Sequence, residues 1–182
     1  MMRRGIWIAA TLLLGGIVHL ATVLILPRSA PQDAFTRLAP LTEANKATLL
    51  SAPSPEGAPI PFMDPAFASA VCRYDLAAGP LKLQMPVTQS YTSVSFYSRQ
   101  GIAYYAINDR AAGRRTIELE LMTPQQRAQV PEDEEVTAAD RLIVESPTPT
   151  GLILLRALAP EPGQMPRVRG LLSAAQCNTQ RP

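Results

Sequence analysis

Tyrosines concentrate in the stretch SYTSVSFYSRQGIAYYAINDR, where four of the chain's five tyrosines fall within fifteen residues. Tyrosine rings suit the rim of a binding site that is apolar below and wet above, and they also stabilise paired strands. The period of two from Tyr91 to Tyr97, the turn SRQG and the apolar return run predict a β-hairpin. In a regular return strand Tyr104 and Tyr105 point to opposite faces, so the four rings cannot form one patch.

We therefore predict that these rings have a structural role, as cross-strand pairs that hold the hairpin together. The alternative is a ligand groove lined by Tyr91, Tyr97 and Tyr104, with Asp109 and Arg110 at its end. In the structural interpretation Asp109 caps the turn through its side chain and pairs with a neighbouring arginine.

Three aspartates lie among apolar and aromatic residues, namely Asp64, Asp75 and Asp109. A carboxyl group in such surroundings suits general acid catalysis. The simpler interpretation is that each one caps a turn or bonds nearby backbone. The acidic run Glu132, Asp133, Glu134, Glu135 lacks the spacing of a calcium loop and predicts a solvated segment, so we expect no metal site.

Two cysteines, Cys72 and Cys177, are the only thiols in the chain. In an oxidising compartment they predict one disulfide that ties the start of the β region to its end. The alternative is a pair of buried free thiols, since the sequence does not fix the distance between their Cα atoms.

The single histidine, His19, lies within an apolar run, which excludes several chemistries from the rest of the chain. Without a second histidine there is no Ser-His-Asp or Cys-His nucleophile system and no His-rich zinc site. Neither G-x-x-x-x-G-K-[ST] nor G-x-G-x-x-G occurs, so we expect no nucleotide cofactor and no other cofactor.

The first element is this apolar run, which carries no charged residue from Gly5 to Leu26. Its 22 residues span about 33 Å as a helix, which matches a bilayer's hydrocarbon core. We predict an uncleaved single-pass anchor in the bacterial inner membrane; a cleavable signal peptide is the alternative. Arg3 and Arg4 place the N-terminus in the cytoplasm and the rest of the chain in the periplasm.

A stripe of small or polar residues runs along this predicted helix, at Thr11, Gly15, His19 and Thr22. Such stripes allow close approach and hydrogen bonding between helices. We predict a contact face toward a membrane-protein partner or a second copy. The alternatives are a neutral imidazole that bonds locally and a proton relay.

The net charge of +2 equals the charge of Arg3 and Arg4, which leaves 15 basic and 15 acidic residues in the remainder. A nearly neutral exported part has no basic face for phosphates. We therefore expect no nucleic-acid partner.

After the span, residues 28–65 predict a short helix and a proline-rich connector, and residues 66–182 predict an exported β domain. The alternation of apolar and polar residues predicts strands in LKLQM and TIELEL. The apolar runs at 142–144 and 152–155 predict a further hairpin. The sequence PRVRGLLSAAQC predicts a C-terminal helix that ends the domain. The predicted fold is mainly β: residues 1–27 form the cytoplasmic tip and anchor, followed by an antiparallel β-sandwich or partial barrel.

Several blocks of this sequence, CRYDLAAGP, YTSVSFYSRQGIAYYAINDR and GLILLRAL among them, resemble small bacterial membrane-anchored proteins of unknown function. The chain resembles the paired domain-of-unknown-function families 1254 and 1214. The resemblance implies an exported β-sandwich behind one membrane helix and supplies no catalytic residue.

These observations favour an interaction or scaffold protein without catalytic activity, acting through a partner or as a homo-oligomer. A second hypothesis is a binding module for a lipid, a sugar or a cell-envelope fragment at the tyrosines. A carboxylate-based hydrolase is the third.

Overall fold

The computed structural model describes residues 2–29, 33–112, 115–130 and 142–179. It divides into two compact units, residues 1–33 and residues 34–182. The acidic run from Glu132 to Glu135 lies outside the described residues, so its prediction as a solvated loop stays a prediction.

The first unit is the helix α1, Met2–Ser29. Within it, Arg3–Leu26 is apolar and long enough to cross a membrane, at about 36 Å for its 24 residues. Its large apolar side chains, such as Trp7, Leu12 and Leu24, are exposed. A helix that is apolar all round and unburied by its own chain is typical of a membrane span or a signal sequence.

The second unit is a two-sheet β domain. The first sheet has the order β1-β2-β8-β4-β5, with β1 Ala47–Leu49, β2 Phe67–Asp75, β4 Thr92–Ser98, β5 Ala103–Asn108 and β8 Thr150–Leu158. The second has the order β7-β6-β3-β9, with β3 Leu81–Pro86, β6 Thr116–Met122, β7 Leu142–Glu145 and β9 Gln176–Thr179. The described residues of this unit also form the short α-helices α2 Ala34–Leu38, α3 Asp109–Ala112, α4 Pro124–Arg127 and α5 Met165–Leu172, and the 3₁₀ helices Ala39–Leu41 and Pro162–Gln164.

Alternating side chains build the core between the sheets. In β3, Leu81, Leu83 and Met85 are fully buried, while the lysine and glutamine between them are partly exposed. Phe96 and Ile153 face them from the first sheet in the same apolar cluster. The prediction of a mainly β fold with an N-terminal apolar helix and a short C-terminal helix is confirmed.

The predicted hairpin between the runs at 142–144 and 152–155 is wrong. β7 pairs in parallel with β6 in the second sheet, whereas β8 lies at the centre of the first sheet. The connection carries the chain from the second sheet to the first. Within it, Ser146 Oγ donates to the Thr148 carbonyl (2.6 Å) and Thr148 Oγ1 donates to the Thr150 carbonyl (2.8 Å). Turn residues thus marked a connection without revealing which sheet it enters.

The C-terminal helix forms as predicted, but it does not end the domain. α5 buries Val168 and Leu172 in the main core, and β9 follows it and pairs with β3. This last strand carries Cys177, which forms a disulfide with Cys72 of β2 across a Cα separation of 6.5 Å. The predicted disulfide is confirmed, and it joins the two sheets.

Part of the segment 34–65 packs on the outer face of the first sheet. Leu38 of α2 and Leu50 are buried with Val71 and Leu152 in a second apolar cluster. The segment predicted as a connector therefore belongs by contacts to the β domain, and it also supplies β1, a strand that the sequence pattern did not reveal.

Candidate functional site

The tyrosine hairpin forms, with β4 and β5 as its strands, but it is not regular. A β-bulge shifts the register beside Phe96, so Tyr104 and Tyr105 both contact the Phe96 ring, at 6.1 Å and 5.8 Å between centroids. Both rings pack against the main core. The expectation that they point to opposite faces is wrong, because a bulge inserts one unpaired residue and breaks the period of two.

The other two tyrosines of the cluster lie elsewhere. Tyr91 packs edge-on against Phe67, with 6.3 Å between centroids, and Tyr97 packs against the second apolar cluster on the outer face. Tyr104 reaches the core side through the bulge. The structure therefore does not bring Tyr91, Tyr97 and Tyr104 to one surface, and a ligand groove formed by these three stays a prediction.

The tyrosine outside the cluster, Tyr74, is the most connected one. Its ring is fully buried, and its hydroxyl lies 2.9 Å from Ser146 Oγ, 3.3 Å from the Tyr97 carbonyl and 3.2 Å from the Tyr104 hydroxyl. Gly151 makes room for this hydroxyl, since a Cβ there would meet Tyr74 Oη and the Tyr97 carbonyl. These bonds tie β2, β4 and β5 to the β7–β8 connection, which is a structural role.

Each of the three candidate aspartates bonds backbone. Asp64 accepts from the Ala66 amide (2.9 Å), Asp75 from the Ala77 amide (3.0 Å), and Asp109 from the Thr92 amide (3.0 Å). Asp64 precedes β2 and Asp75 is the last residue of β2, which spans about 30 Å. Arg110, in α3, is exposed. The structure does not gather these carboxylates into a pair suited to acid–base work.

Two of the four residues of the candidate contact face on α1 form hydrogen bonds within their own helix. Thr11 Oγ1 donates to the Trp7 carbonyl (2.9 Å) and Thr22 Oγ1 donates to the Val18 carbonyl (2.8 Å). These bonds satisfy the two hydroxyls within the helix. Gly15 has open space around its Cα, and His19 lies on the same exposed helix, so the contact face toward another helix stays a prediction.

An open groove of about 470 Å³ lies beside β1. No sequence motif predicted it. One wall is the 3₁₀ turn Ala39–Leu41 with the residues after it, the other is the end of α5 at Leu172 and Ser173, and β1 lies between them. At one end Lys46 and Glu43 form an exposed ion pair of 3.2 Å, so this end of the groove has no net charge. Among the described residues, this groove is a candidate binding surface.

Specific contacts hold β1 in place. Asn45 adopts a left-handed conformation (φ 56°), and its side chain accepts from the Asp75 amide (2.7 Å) and donates to the Asp75 carbonyl (2.8 Å) and to Thr179 Oγ1 (2.8 Å). Asparagine tolerates this conformation better than most residues. At the other end of β1, Arg169 of α5 donates to the Leu50 carbonyl (2.9 Å). Arg169 thereby fixes the α5 wall relative to the strand, and Asn45 fixes the start of β1 relative to β2 and β9.

Comparison with known proteins places the chain in a family. The family model described as "Protein of unknown function (DUF1254)" matches residues 44–179. This chain belongs to the DUF1254 family. The resemblance to family 1254 is thus confirmed, whereas the pairing with family 1214 stays a prediction.

Two solved structures are similar to part of this chain. The VPA0106 protein of Vibrio parahaemolyticus is 13% identical with a TM-score of 0.59, and the alignment covers 80% of this chain and 34% of that one. A putative uncharacterised protein of Burkholderia cenocepacia is 12% identical with a TM-score of 0.46, over 76% of this chain and 35% of that one. The chain spans about a third of the length of these structures. No curated protein matches it.

The residues of the groove could not be predicted from the sequence, because they form no recognisable pattern. β1 has three residues, too few to show a period, and it follows a turn rather than a recognisable motif. The one local signal is the pair Glu43 and Lys46 around Asn45, which marks a turn but not an open strand edge.

Proposed function

We propose that this DUF1254 protein is a membrane-anchored binding protein of the bacterial cell envelope that acts through another polypeptide, without catalysis of its own. α1 serves as the anchor in the inner membrane, with Arg3 and Arg4 on the cytoplasmic side and the β domain in the periplasm. The disulfide fits this placement, because the periplasm is oxidising.

One observation carries the proposal: an open groove lies beside β1, whereas the side chains suited to chemistry are occupied within the fold. Asp64, Asp75 and Asp109 each bond backbone, and the Tyr74 hydroxyl has three partners. Among the described residues, no three histidines, cysteines, aspartates or glutamates cluster in a way that could hold a metal ion. An open surface with little reactive chemistry supports binding rather than turnover.

A reporter fused after Pro182 tests the placement. Alkaline phosphatase, which needs an oxidising compartment, should be active there, and a fluorescent protein that folds only in the cytoplasm should stay dark. Arg3→Glu and Arg4→Glu together should reduce the phosphatase signal, because the positive residues set the orientation. A bright cytoplasmic reporter on the wild-type chain would contradict the proposal.

The second candidate function is the binding of a small molecule such as a lipid, a sugar or a cell-envelope fragment. The volume of the β1 groove favours it, since 470 Å³ lies within the range of small-molecule sites. A monomeric full-length protein that retains a small bound mass would support this function over the first.

A further inference from the structure

The β1 edge of the first sheet has unpaired backbone groups on its outer side. Leu50 donates its amide to the Ser69 carbonyl (2.9 Å), which makes Leu50 and Ser69 a hydrogen-bonded pair of the antiparallel ladder. Such pairs alternate along a ladder, so Thr48 also bonds toward β2. The amides and carbonyls of Ala47 and Leu49 therefore point away from β2.

The strand edge that carries these groups borders the groove. Ala47 and Leu49 both line it, and within the described part of the chain β1 has a neighbouring strand on one side only. Two donors and two acceptors thus stand in a row at the spacing of alternate strand residues, about 7 Å apart. Only an extended polypeptide repeats donors and acceptors at that spacing.

The walls of the groove restrict the occupant further. Leu41 offers exposed apolar surface on one side, and the uncharged Ser173 is the exposed residue on the other. The charges of Glu43 and Lys46 are already paired. An occupant with uncharged side chains is therefore favoured. Because β1 is flanked by the 3₁₀ turn on one side and α5 on the other, a lone strand fits beside it better than the β1 edge of a second copy, which has walls of its own.

We infer that the groove between β1 and α5 binds an extended, uncharged segment of a partner polypeptide, which adds to the first sheet as a sixth strand. This inference rests on the proposed function and names its site and the class of its partner. Backbone pairing supplies the register, and Leu41 contacts side chains of the added strand. Since β1 is short, the interaction is modest in affinity and tolerant of sequence.

The test uses a pool of randomised hexapeptides presented to the full-length protein in mild detergent. We expect enrichment of peptides rich in β-branched and other uncharged residues, without proline at the central positions. Each enriched peptide is then made with N-methyl groups on alternate residues, which removes backbone donors and keeps the side chains. Methylation of the residues whose amides point toward β1 should weaken binding about tenfold or more. Methylation in the opposite phase, on the residues between them whose amides point away from β1, should weaken it less.

A matched pair of variants locates the site. Ser173 lines the groove at the end of α5, and Ala174 beside it is exposed and is not part of the lining. Ser173→Trp should fill the groove and abolish peptide binding, whereas Ala174→Trp should leave it unchanged. Equal melting temperatures of the two variants show that both are folded. If only Ser173→Trp lowers the melting temperature, Ala47→Pro is the second variant, because it removes an outward amide that the ladder does not use.

The proposal is overturned if no hexapeptide is enriched, if methylation in both phases has the same effect, or if Ser173→Trp binds as well as Ala174→Trp. These outcomes differ from a failure of the proposed function. A full-length protein that assembles with another polypeptide while Ser173→Trp leaves the assembly intact contradicts the groove and leaves the binding function standing. A protein that never assembles contradicts the function itself.

Discussion

At the scale of single residues, the hydroxyl of Tyr74 and the missing side chain of Gly151 depend on each other. The phenol is buried and bonds Ser146, Tyr104 and the Tyr97 carbonyl, and it occupies the space where a Cβ of residue 151 would lie. Tight interiors tolerate added atoms poorly, since neighbours must leave their preferred positions.

We therefore expect Gly151→Ala to lower the free energy of unfolding by about 1 to 3 kcal/mol. Gly170→Ala is the matched control, because residue 170 lies in α5 with nothing within 4 Å of the added Cβ. The control should be neutral or slightly stabilising, as alanine favours helix. Urea unfolding of both variants measures the difference, and equal stability would show that the Tyr74 network can shift to accept the methyl group.

Tyr104 gives the β domain a specific dependence on alkaline pH. Burial raises the pKa of the Tyr104 phenol, while a hydrogen bond with Ser146 opposes this and Tyr74 adds to it. The folded protein therefore keeps this proton at pH values where the unfolded chain, with a tyrosine pKa of about 10, loses it. The contribution to stability is complete below about pH 10 and is lost as the pH rises further.

In Tyr104→Phe the loss of stability between about pH 9 and about pH 11 should be smaller than in the wild type. Tyr91→Phe, at an exposed ring, serves as the control and should keep the wild-type slope. Urea midpoints across this pH range provide the measurement. A Tyr104→Phe profile parallel to that of the wild type would mean that the phenol titrates freely in the folded state.

At the scale of elements, the disulfide between β2 and β9 joins the two sheets across 105 residues of sequence. In the chain-entropy model a loop of this length contributes about 4 to 5 kcal/mol. The double variant Cys72→Ala, Cys177→Ala should be less stable by that order in urea unfolding. Reduction of the wild type under mild conditions should have a similar effect. A loss below about 1 kcal/mol would mean that α5 and β9 hold the sheets together without the bond.

Some elements could be predicted from the sequence because their side chains alternate over several residues. β3 and β6 do so, and the burial of Leu83 and Leu119 follows that pattern. The bulge beside Phe96 could not be predicted, since an extra residue leaves no compositional mark in AYYAI. The pairing of β7 was missed because the connection SPTPTG is compatible with a hairpin and with a crossing between sheets.

The residues of the candidate sites likewise fall into those that could be predicted from the sequence and those that could not. Cys72 and Cys177 were identified because two thiols allow only one intramolecular pairing. The β1 groove was not, because it depends on three segments that are far apart in sequence, around Leu41, Leu49 and Leu172. Open backbone edges have no signature in side-chain types, so a site that binds through its backbone is visible only in the fold.

At the scale of the whole molecule, an apolar helix and a disulfide-tied β domain form two compact units of one chain. In the proposed function α1 confines the domain to the membrane surface, where a modest affinity suffices because both partners share a small volume. The proposed binding function therefore needs the helix as much as the groove. Protein cleaved after α1 should bind peptide in the groove equally well but lose its partner in cells.

Native mass spectrometry of the full-length protein, extracted in mild detergent from the membrane of a cell that makes it, would show in one spectrum whether α1 is retained and whether another polypeptide is bound. We predict a 19.7 kDa chain that retains α1, lacks the two hydrogens lost to the disulfide, and remains associated with a second polypeptide. A chain that has lost α1, or an intact chain found only as a monomer, would contradict the account of an anchored protein that acts by binding another polypeptide.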